Sequence, residues 1–421
     1  MANKKEQPKI FLHISEVDVS ENDILEYSPD VLDKLLIDHT MSAKVRAEAN
    51  DMTKTANIFW ATDNYEELGE GYAYRDEITP AAITGNEKGR IIMPRVLKDK
   101  QTQIDRTKDK AEVFTPSWVC NAQNNLIDDA WFGPDHKNAF NEESIEDVQH
   151  VWTPTERVIF PEGDKQKTWQ KYVTDNRMEI TCGEAPYLVS RYDTTTGEPI
   201  PIMKRIGLLD RKLRVINENV ETEEEWYKMA EKAFKHTYGY EWQGDNLLLS
   251  REALLYTYIE YFIHRFNEKD AEGKVIPKLD DEGNPYIEHV PKDNKVLNIA
   301  RIISWNIWQM DGIKMVVPDS CHDVVRKVEA VQLTMNFFDE PDKPTQVPEP
   351  TVTPCPGCAS GEVHKHNGEY CLIRDWNKSK PKNWQLKPGE DPKSSPWQKI
   401  KFISLLNSNY TEEEEEPEDE E

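Results

Sequence analysis

The chain has 421 residues, with 52 Lys+Arg against 78 Asp+Glu and a formal net charge of −26. Its 37% hydrophobic residues, including 12 Trp, 16 Tyr and 12 Phe, supply enough apolar material for a sizeable core, which excludes a wholly disordered chain. No run reaches the roughly 18 apolar residues of a membrane span, and the N-terminus lacks a signal-peptide core. Six Cys are too few for a disulfide framework, so the expectation is a soluble, cytoplasmic protein. The acidity opposes unaided binding of nucleic acid, because that affinity comes largely from Lys and Arg neutralising phosphates.

In chain order, residues 1–110 carry no motif and no assignable role. A helix is expected over Ser117–Phe132, with Ser117 as its N-cap after Pro116. Residues 177–182 read as a short strand running into a turn. Two charge-rich helices follow, over 206–220 and 222–236, and Thr222 and Glu225 have the spacing of a capping box. Residues 237–242 form a second strand, and 247–266 the longest amphipathic helix, with apolar positions three and four apart. The segment 269–295, rich in Gly, Pro and charge, reads as a long surface loop. A third strand is expected over 303–309, a Pro-rich linker over 339–356 and a fourth strand over 400–406. The last eleven residues, TEEEEEPEDEE, carry nine acidic groups, a self-repelling block that stays solvated. Without them the charge is −26 + 9 = −17.

Strands alternating with helices predict an α/β fold, a mostly parallel sheet with helices on both faces. The expected divisions are an N-terminal region (1–110), a ligand-binding domain (111–338), a linker with a Cys/His insertion (339–398), the last sheet strand (399–410) and a disordered acidic tail (411–421).

Ligands of open parallel sheets bind beyond the carboxyl ends of the strands. The first strand ends in Glu179-Ile180-Thr181-Cys182-Gly183-Glu184-Ala185-Pro186-Tyr187-Leu188. There Gly183 lets backbone approach a ligand, and the small Ala185 keeps that approach open. The second ends in Glu241, a carboxylate able to accept both hydrogen bonds of a ribose diol. The third ends in Asp311, an acceptor suited to an adenine amino group. Neither GxGxxG nor GxxxxGKS occurs, which favours a nucleoside without a phosphate chain.

These segments resemble amino-group DNA methyltransferases of restriction–modification systems. Phe114-Thr115-Pro116 looks like the F-T-P element that precedes the cofactor domain in that family. The segment from Glu179 to Leu188 is similar, position by position, to its D-P-A-C-G-S-G-x-F-L motif, with Glu179 for Asp and Ala185 for the second Gly. Glu241 and Asp311 fall where the family places its ribose and adenine acids. The motif order resembles the modification subunits of the gamma, adenine-N6 type. The resemblance implies a Rossmann-like methyltransferase fold that binds S-adenosylmethionine through Glu179, Cys182, Gly183, Ala185, Glu241 and Asp311, with Phe114, Thr115 and Pro116 closing over it. It also implies methyl transfer to an adenine flipped from DNA. The family's catalytic N-P-P-Y is missing, and the nearest match is Asn407-Ser408-Asn409-Tyr410, which offers Asn407 and Tyr410 as catalytic candidates. No target-recognition region is expected beyond it. The acidity and the lost N-P-P-Y motivate an alternative, a catalytically inactive relative acting as a binding or regulatory subunit. On either reading the implied partners are DNA reached through a basic subunit, or a restriction or specificity subunit, and no membrane.

A second constellation is Cys355-Pro356-Gly357-Cys358, followed by His364, His366 and Cys371. Paired thiols on a tight turn resemble half of a zinc knuckle, and Cys355, Cys358, His366 and Cys371 would complete four S/N ligands. Cys120 and Cys321 read as ordinary buried thiols, His236 and His264 as satisfied helix residues, and Trp60, Trp305 and Trp308 as core. The basic stretches 98–110 and 204–214 read as solvated faces.

Overall fold

A computed structural model describes residues 7–14, 16–17, 20–85, 91–110, 115–146, 149–326, 351–376 and 399–406. At its centre, three short strands, Arg177–Glu179, Thr237–Glu241 and Ile307–Gln309, form a parallel sheet with the 237–241 strand in the middle. Glu241 lies opposite Gln309, so the middle and last strands end together, whereas the first strand ends at Glu179 opposite Gly239, two residues earlier. Parallel neighbours require long crossovers. The helices Leu208–Asn219 and Glu223–Lys235 make the first, and Gly244–Phe266 and Asp293–Asn306 the second.

The architecture is mixed α/β, and the parallel arrangement stops at those three strands. The other sheets among the described residues are two-stranded and antiparallel, such as the hairpin Asn141–Glu146 with Gln149–Pro154. Two strand expectations change. The third strand is shorter than expected, because the Asp293–Asn306 helix runs on to Asn306. There Asn306 Nδ2 ties the helix end to the carbonyls of Phe234 and Thr237. Only Lys399–Lys401 of the expected fourth strand is extended; it pairs antiparallel with Leu372–Arg374, and Phe402–Leu406 turns into a 3-10 helix.

Local chemistry explains most helix boundaries. Thr222 Oγ1 accepts from Glu225 N at the start of Glu223–Lys235, the side-chain cap that its sequence spacing anticipates. Ser117 does not cap its helix. It is the first helical residue, Pro116 is the N-cap, and Ser117 N donates to Asp193 Oδ2 at 2.9 Å. The Gly244–Phe266 helix begins where Gly244 packs on the Phe59 carbonyl; a Cβ there would lie 2.1 Å from that oxygen.

That helix is buried on every side from Gly244 to Ile263, so the apolar stripe expected for it is only part of its buried surface. Its charged residues are covered and paired. Glu260 accepts from Arg191 at 3.0 Å and from both Nη atoms of Arg205 at 2.8 Å. Arg251 donates to the carbonyls of Ile307, Leu35, Ile37 and Ser304, which joins the N-terminal helix Pro29–Leu36 to the last parallel strand. The 204–214 stretch, expected as a solvated face, is exposed only at Lys204 and is otherwise an interior element. Arg205, Arg211, Lys212 and Arg214 are all buried. Arg211 pairs with Asp128 at 2.6 Å and donates to the side-chain oxygens of Asn121 and Asn125. Burial pushes the Lys212 ammonium well below its ordinary range, and its Nζ donates to the carbonyls of Asp175 and His236. Trp60, Trp305 and Trp308 are buried as expected. Among the described residues no helix is long and apolar enough to cross a membrane.

Candidate ligand edge and metal centre

The three carboxylates singled out in the sequence are all buried and lie at or just past the carboxyl ends of the parallel strands, in a staggered order: Glu179 is opposite Gly239, two residues before Glu241, and Asp311 follows two residues after Gln309, the partner of Glu241. Behind the first strand the chain makes a tight turn in which Thr181, Gly183 and Ala185 all have positive φ, at 45°, 53° and 62°. For Thr and Ala such conformations cost on the order of 1 kcal/mol or more each, and they persist only where the surroundings enforce them. The enforcers are visible. Cys182 N donates to Tyr240 O at 2.8 Å, Gly183 N to Glu241 Oε2 at 2.9 Å, and Ala185 N to Cys182 O at 2.7 Å. Glu179 accepts from the N–H groups of Tyr187 and Leu188 at 3.3 and 3.1 Å.

Glu179 is therefore spent on closing its own loop, while Glu241 links the turn to the middle strand. Its Oε1 also accepts from Gln243 N at 3.3 Å. The Trp242 N–H bonds this carboxylate as well, so backbone donors take three of its four acceptor sites. Burial raises both carboxyls, Glu179 strongly, with the backbone N–H bonds opposing the rise. Burial also pushes the Cys182 thiol well above its usual value, with Glu179 and Glu241 adding to the effect. A neutral, covered thiol packs the turn and is no nucleophile. Asp311 accepts from Ile313 N and Lys314 N through Oδ1, and its Oδ2 lies 3.3 Å from Lys314 Nζ. Beside these buried acids stand two exposed apolar side chains, Ile180 at 65% and Ile313 at 84%.

Thr115 lies against the segment that follows this turn, since its side chain shares a hydrogen bond with Tyr187 and its carbonyl accepts from Thr194, and Pro116 caps the Ser117–Phe132 helix. Phe114, Asn407 and Tyr410 fall outside the described residues.

The Cys/His cluster differs by one ligand from the sequence expectation. Cys321, Cys355, Cys358 and His366 bring their Sγ and Nδ1 atoms within 4.8 Å of one another. Cys371 is not part of it. That residue is fully buried in a small core with Tyr240, Trp308 and Val317, and its Sγ donates to Gln309 O at 3.4 Å. His364 lies apart in the turn Val363–Lys365. Cys321, which had no partner near it in sequence, takes the fourth place because its loop folds back on the knuckle.

The geometry suits zinc. Bonds of about 2.3 Å to sulfur and 2.0–2.1 Å to nitrogen, at the tetrahedral angle, put S and N about 3.6 Å apart. His366 Nδ1 lies 3.5 Å from Cys321 Sγ and 3.7 Å from those of Cys355 and Cys358. Two glycines make the approach feasible. A Cβ on Gly357 would sit 2.6 Å from His366 Nδ1, and one on Gly368 would sit 2.5 Å from Ser320 Oγ and 3.1 Å from Cys321 Sγ. Asn367 N donates to Cys355 Sγ at 3.3 Å. Burial opposes ionisation of Cys355, but the N–H groups of Asn367, Cys358 and Gly357 and the His366 ring outweigh it and bring the thiol down to about 6.

No family model, curated protein or solved structure matches the chain.

Proposed function

We propose that this chain is an S-adenosylmethionine-binding, methyltransferase-like protein of the DNA adenine-N6 modification class, built on one half of a Rossmann-like sheet and braced by a Cys3His zinc centre. The observation that carries the reading is a buried acid at or just past the carboxyl end of each of three neighbouring parallel strands, two of them bonded to a turn held in the left-handed region. Strands that lie side by side in chain order make up one half of a doubly wound sheet, and its ligands sit at that edge.

In this reading Glu241 accepts a ribose hydroxyl, and Asp311 Oδ2, shared with Lys314 Nζ, accepts the adenine amino group. Exposed Ile180 and Ile313 give the base apolar surface to cover. The bound cofactor supplies an electrophilic methyl group. The chain's part is to orient the cofactor and to exclude water around it. Asn407 and Tyr410 remain the proposed contacts to the target amine and base. The net charge of −26 favours action on DNA through a basic partner subunit. It also keeps in view the second reading, a cofactor-binding subunit without its own catalysis.

The deciding experiment incubates the purified chain with labelled S-adenosylmethionine and mixed DNA, with and without the products of neighbouring genes. Methyl incorporation that disappears in Asp311→Ala supports the enzyme. Cofactor binding without incorporation under any condition supports the subunit reading, and no binding of the cofactor refutes both.

A further inference from the structure

We propose that metal held by Cys321, Cys355, Cys358 and His366 fixes the loop that carries Asp311, so that metal and adenosyl ligand strengthen each other's binding. The second half of this rests on the reading of the ligand edge given above.

The four ligands come from two places. Cys355, Cys358 and His366 belong to the knuckle. Cys321 closes a loop that opens at Asp311, at the end of the last parallel strand. That loop is an unusual piece of backbone. Asp311 N donates to Val316 O at 2.8 Å and Met315 N to Asp311 O at 2.7 Å. Met315 and Asp319 both have positive φ, at 60° and 51°. Non-glycine residues keep such conformations only where neighbours hold them.

Some of those neighbours are knuckle residues or follow the knuckle directly, and they hold Met315, Val317, Ser320 and His322. Val317 N donates to Glu369 O at 2.8 Å, Glu369 N to Ser320 Oγ at 3.0 Å, and Cys371 N to Met315 O at 3.2 Å. Asn367 clasps His322 in both directions, accepting from its N–H at 3.1 Å and donating to its carbonyl at 2.7 Å. Outside the knuckle, the Tyr74 hydroxyl donates to Asp319 Oδ2 at 2.7 Å and Arg75 Nη2 to Asp319 O at 3.0 Å.

The knuckle in turn has little apolar burial of its own between Thr353 and Tyr370, where Cys355 and Gly357 are its buried residues. Short segments of this kind obtain their folding free energy from the metal. A cation joining Cys321 to the other three ligands therefore orders the knuckle and, through it, the loop. Asp311 takes its place from the same loop, because its Oδ1 is bonded to the loop's own N–H groups at Ile313 and Lys314. Coupling between two equilibria is reciprocal, so an adenosyl ligand held by Asp311 must tighten the metal by the same factor.

The test uses the full chain, kept reduced, either stripped with chelator or loaded with one equivalent of zinc. Hydrogen exchange of peptides covering 309–322 and isothermal titration with S-adenosylmethionine are measured on both forms. Cys358→Ser is the key variant, since this exposed thiol lies on the knuckle and meets the 311–321 loop at Cys321, inside the ligand cluster; its stripped form is compared with stripped wild type, and circular dichroism checks that it stays folded.

The expected result is that zinc protects 309–322 and raises ligand affinity about tenfold or more, and that Cys358→Ser loses both effects together. Equal exchange of 309–322 with and without zinc overturns the proposal. So does protection of the loop with ligand affinity unchanged. If no form binds S-adenosylmethionine, the reading of the edge falls, and the exchange data alone decide whether metal positions the Asp311 loop.

Discussion

The substitution Gly357→Ala isolates the geometry of the metal centre from its ligand chemistry. All four ligand atoms stay in place, and the only new atom is a Cβ that would lie 2.6 Å from His366 Nδ1 and 2.5 Å from His366 N. Ordinary contact begins near 3.4 Å, so the histidine must retreat by about 0.8 Å, whereas metal–ligand bonds tolerate about 0.2 Å. His366 then drops out or drags the knuckle with it. Affinity should fall by roughly 10–100-fold, the range seen when support of a ligand is lost, which is about 1.4–2.8 kcal/mol. Gly361→Ala is the control. That glycine has φ +74°, and a Cβ added to it would meet nothing within 4 Å, so alanine adds only about 1 kcal/mol of backbone strain and leaves the ligands alone. The assay is competition for zinc against a chromophoric chelator, with cobalt substitution to read the ligand set from its thiolate charge-transfer bands. Wild-type affinity and an unchanged cobalt spectrum in Gly357→Ala would refute the geometric argument, as would equal losses in the two variants.

Three further outcomes are expected. Asp128→Ala leaves the buried Arg211 guanidinium without its carboxylate, and also strips the Tyr172 hydroxyl of its acceptor. Urea unfolding should register a loss of about 3–5 kcal/mol, and a loss below about 1 kcal/mol would show that Arg211 is not the covered ion it is taken to be. Burial raises the Asp38 carboxyl from 3.8 to about 6, against the pull of the Met41 N–H, Arg251 and the Thr40 N–H. An acid raised on folding adds stability that is complete below its unfolded value and is lost as pH rises through the folded one. Relative to Asp38→Asn, which keeps the Oδ1 cap on Thr40 and Met41, wild type should gain roughly 2–3 kcal/mol between pH 7 and pH 4; parallel stability curves would contradict this. Glu241→Gln keeps an oxygen for one backbone N–H and removes the charge. It should weaken S-adenosylmethionine about tenfold or more by isothermal titration, since hydrogen bonds to a charged acceptor are worth about 1.5–3 kcal/mol, and unchanged affinity would remove Glu241 from the site.

The edge of acids was legible because strand ends leave marks in the sequence. Glu241 and Asp311 each follow a short run rich in aromatic or apolar residues, Glu179 precedes the turn at Cys182-Gly183, and the structure pairs the three strands in parallel. The capping role of Thr222 was legible for a similar reason, being fixed by spacing alone. Cys321 was not. It stands 34 residues before Cys355 and has no local partner, so only the folding back of its loop makes it a ligand. The real signal lay in Gly357 and Gly368, whose missing side chains admit His366 and Cys321, yet glycines in a loop read simply as turn residues. Cys371 misled because proximity in sequence favoured it over a distant thiol, while its apolar neighbours Leu372 and Ile373 already marked a strand packed on the core. The 204–214 stretch misled through charge. Its arginines and Lys212 are interior because Asp128, Glu260 and a set of carbonyls from distant segments receive them, and nothing within that stretch announces such partners.

The central claim is that the edge formed by Glu241, Asp311 and the Thr181–Ala185 turn binds an adenosyl ligand without a phosphate chain. Isothermal titration of the zinc-loaded chain with S-adenosylmethionine tests it most directly, with ATP as the comparison ligand. One site, binding in the micromolar range and its loss in Asp311→Ala are predicted, with no heat from ATP. Absence of heat from S-adenosylmethionine, or equal binding of ATP, would contradict the claim.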